Sequence, residues 1–215
     1  MVKSFLIIII CKIFIYAQDQ IILVVGEHHA SKQALLSCYE DGRRIFGNIK
    51  VNVGKKGFAD GEKEKKEGDN KAPLGTFSLD AVFGYKKNIK IDMPYLYASK
   101  NLICVDDPNS KFYNQIIEKP KEMPKSFELM RRNDPQYELG VVVGYNKEGV
   151  RGRGSCIFLH VQKSDNTPTA GCTSMKKEDM EKIIEWLDKG KNPVLIQTTE
   201  KELEQVLRLY PALRL

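Results

Sequence analysis

Gly154-Ser155-Cys156-Ile157-Phe158-Leu159-His160-Val161 is followed by a polar loop over residues 162–169 and then by Thr169-Ala170-Gly171-Cys172, directly ahead of a helical pattern that begins near Met180. The apolar run at 156–161 predicts a strand that delivers a histidine near its end. The loop turns the chain back and leaves a cysteine on the approach to a helix. That helix is marked by Met180, Ile183, Ile184 and Leu187 at i, i+3, i+4 and i+7, with Glu178 and Asp179 in its first turn and Gly190 and Pro193 behind its end. Trp186 lies beside the apolar stripe and reads as a packing residue.

Outward from this segment, short β-branched and apolar runs recur at residues 20–25, 34–39, 45–53, 76–83 and 139–145, separated by Gly, Asn and Asp. They predict a mostly β domain with its helices in the C-terminal third. Residues 193–197 read as one more strand, and Thr199 with Glu202 as a capping box opening a last helix through Leu203, Val206 and Leu207. The polar stretch between Val53 and Leu74, with glycines at 54, 57, 61 and 68, begins as a solvated loop, and the Pro-rich residues 119–125 form a surface loop. No repeat or linker divides the chain, so residues 18–215 are expected to form a single domain.

Residues 1–17 read as a secretory signal peptide: Lys3, an apolar run at 5–10 that resumes at 13–16, and cleavage near Ala17. The run is short and broken by Lys12, whereas spanning a bilayer takes roughly 20 apolar residues. Ile10 precedes Cys11 where a lipoprotein site needs a small residue. The expected location is therefore the periplasm or the outside of the cell, without stable membrane insertion after cleavage. Removal of Lys3, Lys12 and Cys11 takes the net charge from +6 to +4 and leaves four of the five cysteines.

With 42% apolar and 29% charged residues, the chain has neither collagen-like nor wholly disordered composition. Its basic excess, 34 against 28, is spread without a long basic block, which does not favour nucleic acid. Irregularly spaced cysteines without a Cys-x-x-Cys pair, and only three histidines, argue against a structural zinc site. Asp106-Asp107-Pro108 reads as a turn rather than a calcium loop, and His28 and His29 as surface residues of a polar turn. Cys38, Cys104 and Cys156 are expected to be buried, inert thiols, with an oxidising compartment leaving room for at most one disulfide among them.

His160 and Cys172 are the residues that suit acyl transfer. An imidazole near a thiol is expected to lower its pKa from about 8.5 toward neutrality and later to protonate a leaving group. Gly171 lets its own N–H and that of Cys172 converge where a tetrahedral oxyanion needs donors. On spacing alone the pair reads more readily as a buried small hydrophobe and a core histidine than as a catalytic dyad.

The context of the pair resembles the L,D-transpeptidase (YkuD-type) catalytic domain, in the branch of secreted bacterial proteins that carries strand, His, polar loop and Thr-Ala-Gly-Cys. The resemblance rests on Ile157-Phe158-Leu159-His160-Val161 and Thr169-Ala170-Gly171-Cys172. It extends through the motif from Lys66-Glu67-Gly68-Asp69 to Pro73-Leu74-Gly75-Thr76-Phe77, through Cys104-Val105-Asp106-Asp107-Pro108 with Tyr113-Asn114, and through Gly144-Tyr145-Asn146. It implies a β-sandwich-like catalytic domain with C-terminal helices. Cys172 would attack a carbonyl of a peptidoglycan stem peptide to form a thioester, with His160 as base and then acid, and with no metal or organic cofactor. The acyl group would pass to an amine of a second stem peptide.

Better-known members of the family carry Ser-His-Gly-Cys and an arginine two residues after the cysteine, where this chain has Thr169-Ala170 and Ser174. Arg153, or a lysine of the 63–71 loop, is the candidate for the missing positive charge. Glu67, Asp69, Thr169, Tyr145 and Asn146 are the remaining candidates for contacts with substrate, with a turn as the alternative role for the last two. The sequence does not reveal which group orients His160; in domains of this family it is often a backbone carbonyl, so no acid is nominated. Rival readings are an L,D-carboxypeptidase, endopeptidase or amidase using the same dyad, and a non-catalytic wall-binding protein; a thiol redox protein is disfavoured by the missing Cys-x-x-Cys pair.

Overall fold

The computed structural model describes residues 20–61 and 63–215, so the expected signal peptide lies outside the described residues. Strand β1 (Gln20–Gly26) is apolar on both faces because both are covered, Ile22 and Val24 by the main core and Ile21 and Leu23 by a separate cluster with Tyr39, Ile196 and Leu213; its edges pair with β2 (Gln33–Glu40) antiparallel and with the last strand of the chain in parallel. In β2 the pattern alternates, with Ala34, Leu36 and Cys38 inward and Gln33 and Leu35 outward. Next come β3 (Arg43–Asn52), β4 (Gly75–Gly84), β5 (Tyr95–Tyr97), β6 (Leu102–Cys104), β7 (Ile116–Glu118) and β8 (Glu128–Leu129). The chain continues through a 3-10 turn at Pro135–Tyr137, β9 (Leu139–Val143), β10 (Phe158–Val161), β11 (Thr173–Met175), α1 (Lys177–Trp186), β12 (Val194–Thr199) and α2 (Glu200–Leu209).

Nine strands form one sheet in the order β12-β1-β2-β3-β11-β10-β9-β4-β5. The first half of β4 also pairs with β12, from Gly75↔Gln197 to Ser78↔Val194, so the sheet closes on itself. A closed sheet leaves few unpaired edges and encloses a core, here built around Ile22, Leu36, Leu79, Val141, Leu159 and Met175. Helix α1 covers one opening and buries Met180, Ile183 and Ile184, the stripe read from the sequence. The mostly β class with C-terminal helices is the architecture observed.

A smaller sheet, β7-β6-β8, packs against the first through a second core of Phe83, Leu102, Cys104, Met130, Tyr137, Cys156, Phe158 and Cys172. Its strands are two or three residues long and carry no readable periodicity, and none was expected from the sequence; the same holds for β5 and β11. Cys104 of β6 forms a disulfide with Cys156. The expectation of inert thiols therefore holds only for Cys38, a buried free cysteine whose pKa burial pushes far up. Strand β10 begins later than expected because Cys156 takes a left-handed φ of 53° that ends the extended run.

Three further readings are refined. Trp186 packs edge-on against Phe46 and donates Nε1–H to Glu40 at 3.0 Å, as a packing residue with a satisfied polar atom. Thr199 stands at the α2 N-cap, but its hydroxyl bonds the Glu202 carboxylate rather than a helix amide, so no capping box forms. That carboxylate also meets His29 Nε2 at 2.8 Å, and His29 Nδ1 meets the Ala59 carbonyl at 3.0 Å. His29 is thus a tether between the first turn and α2, while His28 stays exposed. No helix among the described residues is long and apolar enough to cross a membrane.

Candidate functional site

Strands β10 and β11 run parallel, with His160 opposite Ser174 and Leu159 opposite Thr173. Since side chains alternate along a strand, Phe158, His160 and Ser174 share a face, and Cys172, two residues before Ser174, joins it. The two candidate residues, twelve apart in sequence, are thus brought onto one face of the sheet, with backbone groups rather than the imidazole as the thiol's hydrogen-bond partners. The Cys172 thiol accepts the Phe158 N–H at 3.4 Å and donates to the Cys156 carbonyl at 3.4 Å. Cys172 is 9% exposed and His160 4%.

His160 Nδ1 lies 2.8 Å from the Val161 carbonyl. A carbonyl only accepts, so Nδ1 carries the proton and Nε2 of the neutral ring is left as the basic atom. The sequence left the orienting group open, and it is the residue's own neighbouring backbone carbonyl. Burial lowers the imidazole pKa to about 4, overcoming the Val161 and Gln136 backbone acceptors, which favour the charged ring. Burial likewise pushes the Cys172 thiol up to about 12, with the nearby Glu128 charge adding to the rise. The expectation of a thiol drawn toward neutrality by its imidazole is therefore not met: the resting pair is neutral thiol and neutral imidazole, because desolvation outweighs the attraction of an ion pair.

The turn before Cys172 is held by Thr169, whose hydroxyl donates to the Cys172 carbonyl at 2.6 Å and accepts the Gly171 N–H at 3.1 Å. Thr169 is thus a clamp within its own turn. The Gly171 N–H, expected to serve an oxyanion together with that of Cys172, is already engaged. Gly171 has φ +151°, and a Cβ there would lie 2.9 Å from the Lys71 carbonyl, so the glycine lets the 63–71 loop close onto the turn.

That loop brings in Lys65, the lysine that the sequence could not single out. Its ammonium, 4% exposed, bonds Asp69 at 2.9 Å and the Lys66 carbonyl at 3.4 Å, and lies 3.2 Å from where a Gly171 Cβ would stand. It favours the charged form of the neighbouring thiol. Asp69 accepts from Lys65 and from the Lys66 and Lys71 amides, and these bonds hold its carboxyl below the ordinary range against burial. Glu67 takes the Tyr113 hydroxyl at 2.5 Å and the Ser155 hydroxyl at 2.6 Å. Both carboxylates therefore fix the loop rather than presenting free oxygens to a ligand.

Tyr145 and Asn146 resolve in favour of their turn. Tyr145 donates to the Arg153 carbonyl at 2.6 Å; Asn146, at φ 48°, donates to the Val150 and Gly154 carbonyls and accepts the Val150 N–H. Among the described residues, Arg153 is bonded through its backbone, by its carbonyl to Tyr145 and by its N–H to Val150 at 3.2 Å. Asn114 completes the frame, donating to the Tyr145 and Asn146 carbonyls and accepting the Cys156 N–H at 2.9 Å. Tyr137, whose ring packs on His160, and Glu128, which accepts the Tyr137 hydroxyl, were missed entirely. They stand on the 3-10 turn and on β8, elements too short to announce themselves.

The arrangement suits a cysteine nucleophile that loses its proton only as it attacks, on one face with a base of fixed tautomer and near a buried cation. The family model YkuD, described as the L,D-transpeptidase catalytic domain, matches residues 19–196. A search of curated proteins and one of solved structures each gave no match. The match runs from the first strand to the last and contains every residue of the site, so the chain belongs to the L,D-transpeptidase catalytic domain family, whose members act on peptidoglycan stem peptides.

Proposed function

We propose that this protein is an L,D-transpeptidase that joins peptidoglycan stem peptides through a Cys172 thioester. The observation that carries the reading is the placement of Cys172 and His160 on one strand face, with His160 Nδ1 tied to the Val161 carbonyl and Nε2 left as the base. As Sγ bonds to the donor carbonyl carbon, its proton passes to Nε2 and the negative charge moves to the carbonyl oxygen. Collapse of that intermediate breaks the C–N bond, and Nε2–H protonates the departing amine. An amine of a second stem peptide then attacks the thioester, restoring the thiol. Lys65, next to Gly171, supplies positive charge where the oxyanion develops.

Starting from a neutral pair favours this sequence, since charge appears only with substrate in place to share it. Tyr137, Met130 and Cys104 pack in the same cluster as Cys172, so a stem peptide displaces part of this cover to reach the thiol. We take the protein to be exported, cleaved near Ala17, and active outside the cytoplasm; the Cys104–Cys156 disulfide supports an oxidising compartment.

Incubation of the purified protein with disaccharide-tetrapeptide muropeptides, followed by mass spectrometry, tests the reading. Loss of the terminal D-alanine with formation of a dimer is the expected result. Loss with gain of water makes the protein a carboxypeptidase, and no change in the muropeptides contradicts an enzymatic role.

A further inference from the structure

Glu128 belongs to β8, where it pairs with Cys104 of β6. Cys104 is bonded to Cys156, and the Cys156 carbonyl accepts the Cys172 thiol at 3.4 Å. A second connection reaches the site from the same carboxylate. The Tyr137 hydroxyl donates to Glu128 Oε2, and the Tyr137 ring packs edge-on against His160 at 5.3 Å and against Phe158 at 5.6 Å. Tyr137 is 5% exposed and shares the cluster of Cys172 and Phe158. Glu128 is thus linked to both members of the dyad, to His160 through Tyr137 and to Cys172 through Cys104 and Cys156.

The charged groups around these residues are few. Glu128 faces Asp106, Glu67 and the Arg132 guanidinium, in addition to Tyr137. Cys172 feels Glu128 on one side and the cations Lys65 and Arg132 on the other, and His160 feels Arg132 and Asp134. Both cations are already bound to carboxylates, Lys65 to Asp69 and Arg132 to Asp134. Asp106 adds a buried Oδ1 with no hydrogen-bond partner. Half-buried Glu128, held by Tyr137 in the cluster that contains Cys172, is when ionised a negative charge that opposes formation of the thiolate.

We infer that Glu128 is a positioning residue of this active site: anchored by the Tyr137 hydroxyl, its ionised carboxylate adds to the burial that holds Cys172 as a thiol, and its neutralisation makes the thiolate easier to form. The inference rests on Cys172 being the nucleophile. It adds a control on that residue which neither the dyad nor the family motifs contain. Burial raises the Glu128 pKa to about 7, and the Tyr137 bond acts against that rise, so the control operates around neutral pH.

The test is the rate of Cys172 alkylation by iodoacetamide between pH 5.5 and 8.5 on the full mature chain, with peptide mapping to separate Cys172 from Cys38. No substrate is involved, so failure of the transpeptidase reading leaves this measurement interpretable. Glu128→Gln keeps the acceptor for Tyr137 and removes the charge. Its rate is expected to match the wild type at pH 5.5, to diverge through pH 7, and to be about tenfold faster at pH 8.5, the equivalent of one pKa unit at the thiol. Glu128→Asp should keep the wild-type profile. Tyr137→Phe should move the break to higher pH, because the hydroxyl that lowers the Glu128 pKa is gone. A rate ratio independent of pH shows that the substitution only loosens packing, and it overturns the inference, as does the absence of any difference. A break left near pH 7 in Tyr137→Phe overturns the part assigned to Tyr137.

Discussion

In the proposed reaction, His160 sets the acid side of the pH dependence. With its pKa lowered to about 4 by burial, the imidazole stays a base well below its ordinary value of about 6.5. Acylation of Cys172 by a stem peptide, followed against pH, should therefore keep its rate through pH 6.5 and fall only near pH 4; a fall centred on 6.5 contradicts the buried-imidazole account. The same shift bears on stability. A folded pKa below the unfolded one means that the unfolded chain binds more protons between the two values. The His160 contribution is thus full above about pH 6.5 and lost as pH falls toward 4, to the extent of roughly 3 kcal/mol. Glu128 has the opposite sign. Its folded pKa, about 7, lies above the ordinary carboxyl value, so its contribution is full at low pH and lost as pH rises through 7. Urea unfolding at pH 5 and pH 8 should show Glu128→Gln gaining stability relative to the wild type at the higher pH, and an equal difference at both values contradicts this.

The 63–71 loop and the Thr169 turn form a functional unit because each needs the other. Lys65 has its ammonium beside Gly171, and Asp69 gathers Lys65 and two amides into a fixed loop. Breaking the buried Lys65–Asp69 pair from one side leaves an uncompensated charge, at a cost of about 3–5 kcal/mol. In a double-mutant cycle, Lys65→Met and Asp69→Asn should each destabilise strongly, and the double variant should recover part of the loss; additive losses contradict a coupled pair. Thr169→Val removes two hydrogen bonds from the turn and should lower stability by about 1–3 kcal/mol, slowing Cys172 acylation at least tenfold, with Thr169→Ser restoring both. The strands and α1 were legible in the sequence because their apolar periods are long. The His160–Cys172 pair was legible because the strand and the turn before it have distinct patterns. What escaped were contacts between distant, aperiodic segments: Lys65 against Gly171, Glu67 against Ser155, and Glu128 against Tyr137. Asp69, Tyr145 and Asn146 were read as candidates for substrate contact; the bonds the structure shows for them shape their own turns.

Across the whole molecule, the closed sheet forms the main body, and the β7-β6-β8 sheet packs over Cys172. The Cys104–Cys156 disulfide joins the two and closes 52 residues of chain, which by loop entropy stabilises the fold by about 4 kcal/mol. Reduction by dithiothreitol should lower the melting temperature and also slow Cys172 acylation, because the carbonyl that accepts the thiol belongs to Cys156. An unchanged rate in the reduced, folded protein contradicts that coupling. Every part of this account passes through one atom, the sulfur of Cys172. Its most direct test is the intact mass of the protein mixed with a tetrapeptide muropeptide and quenched in acid, followed by peptide mapping. The account predicts a thioester adduct on the peptide carrying Cys172, lacking the terminal D-alanine and absent from Cys172→Ser; an adduct elsewhere, or one that survives in Cys172→Ser, contradicts it.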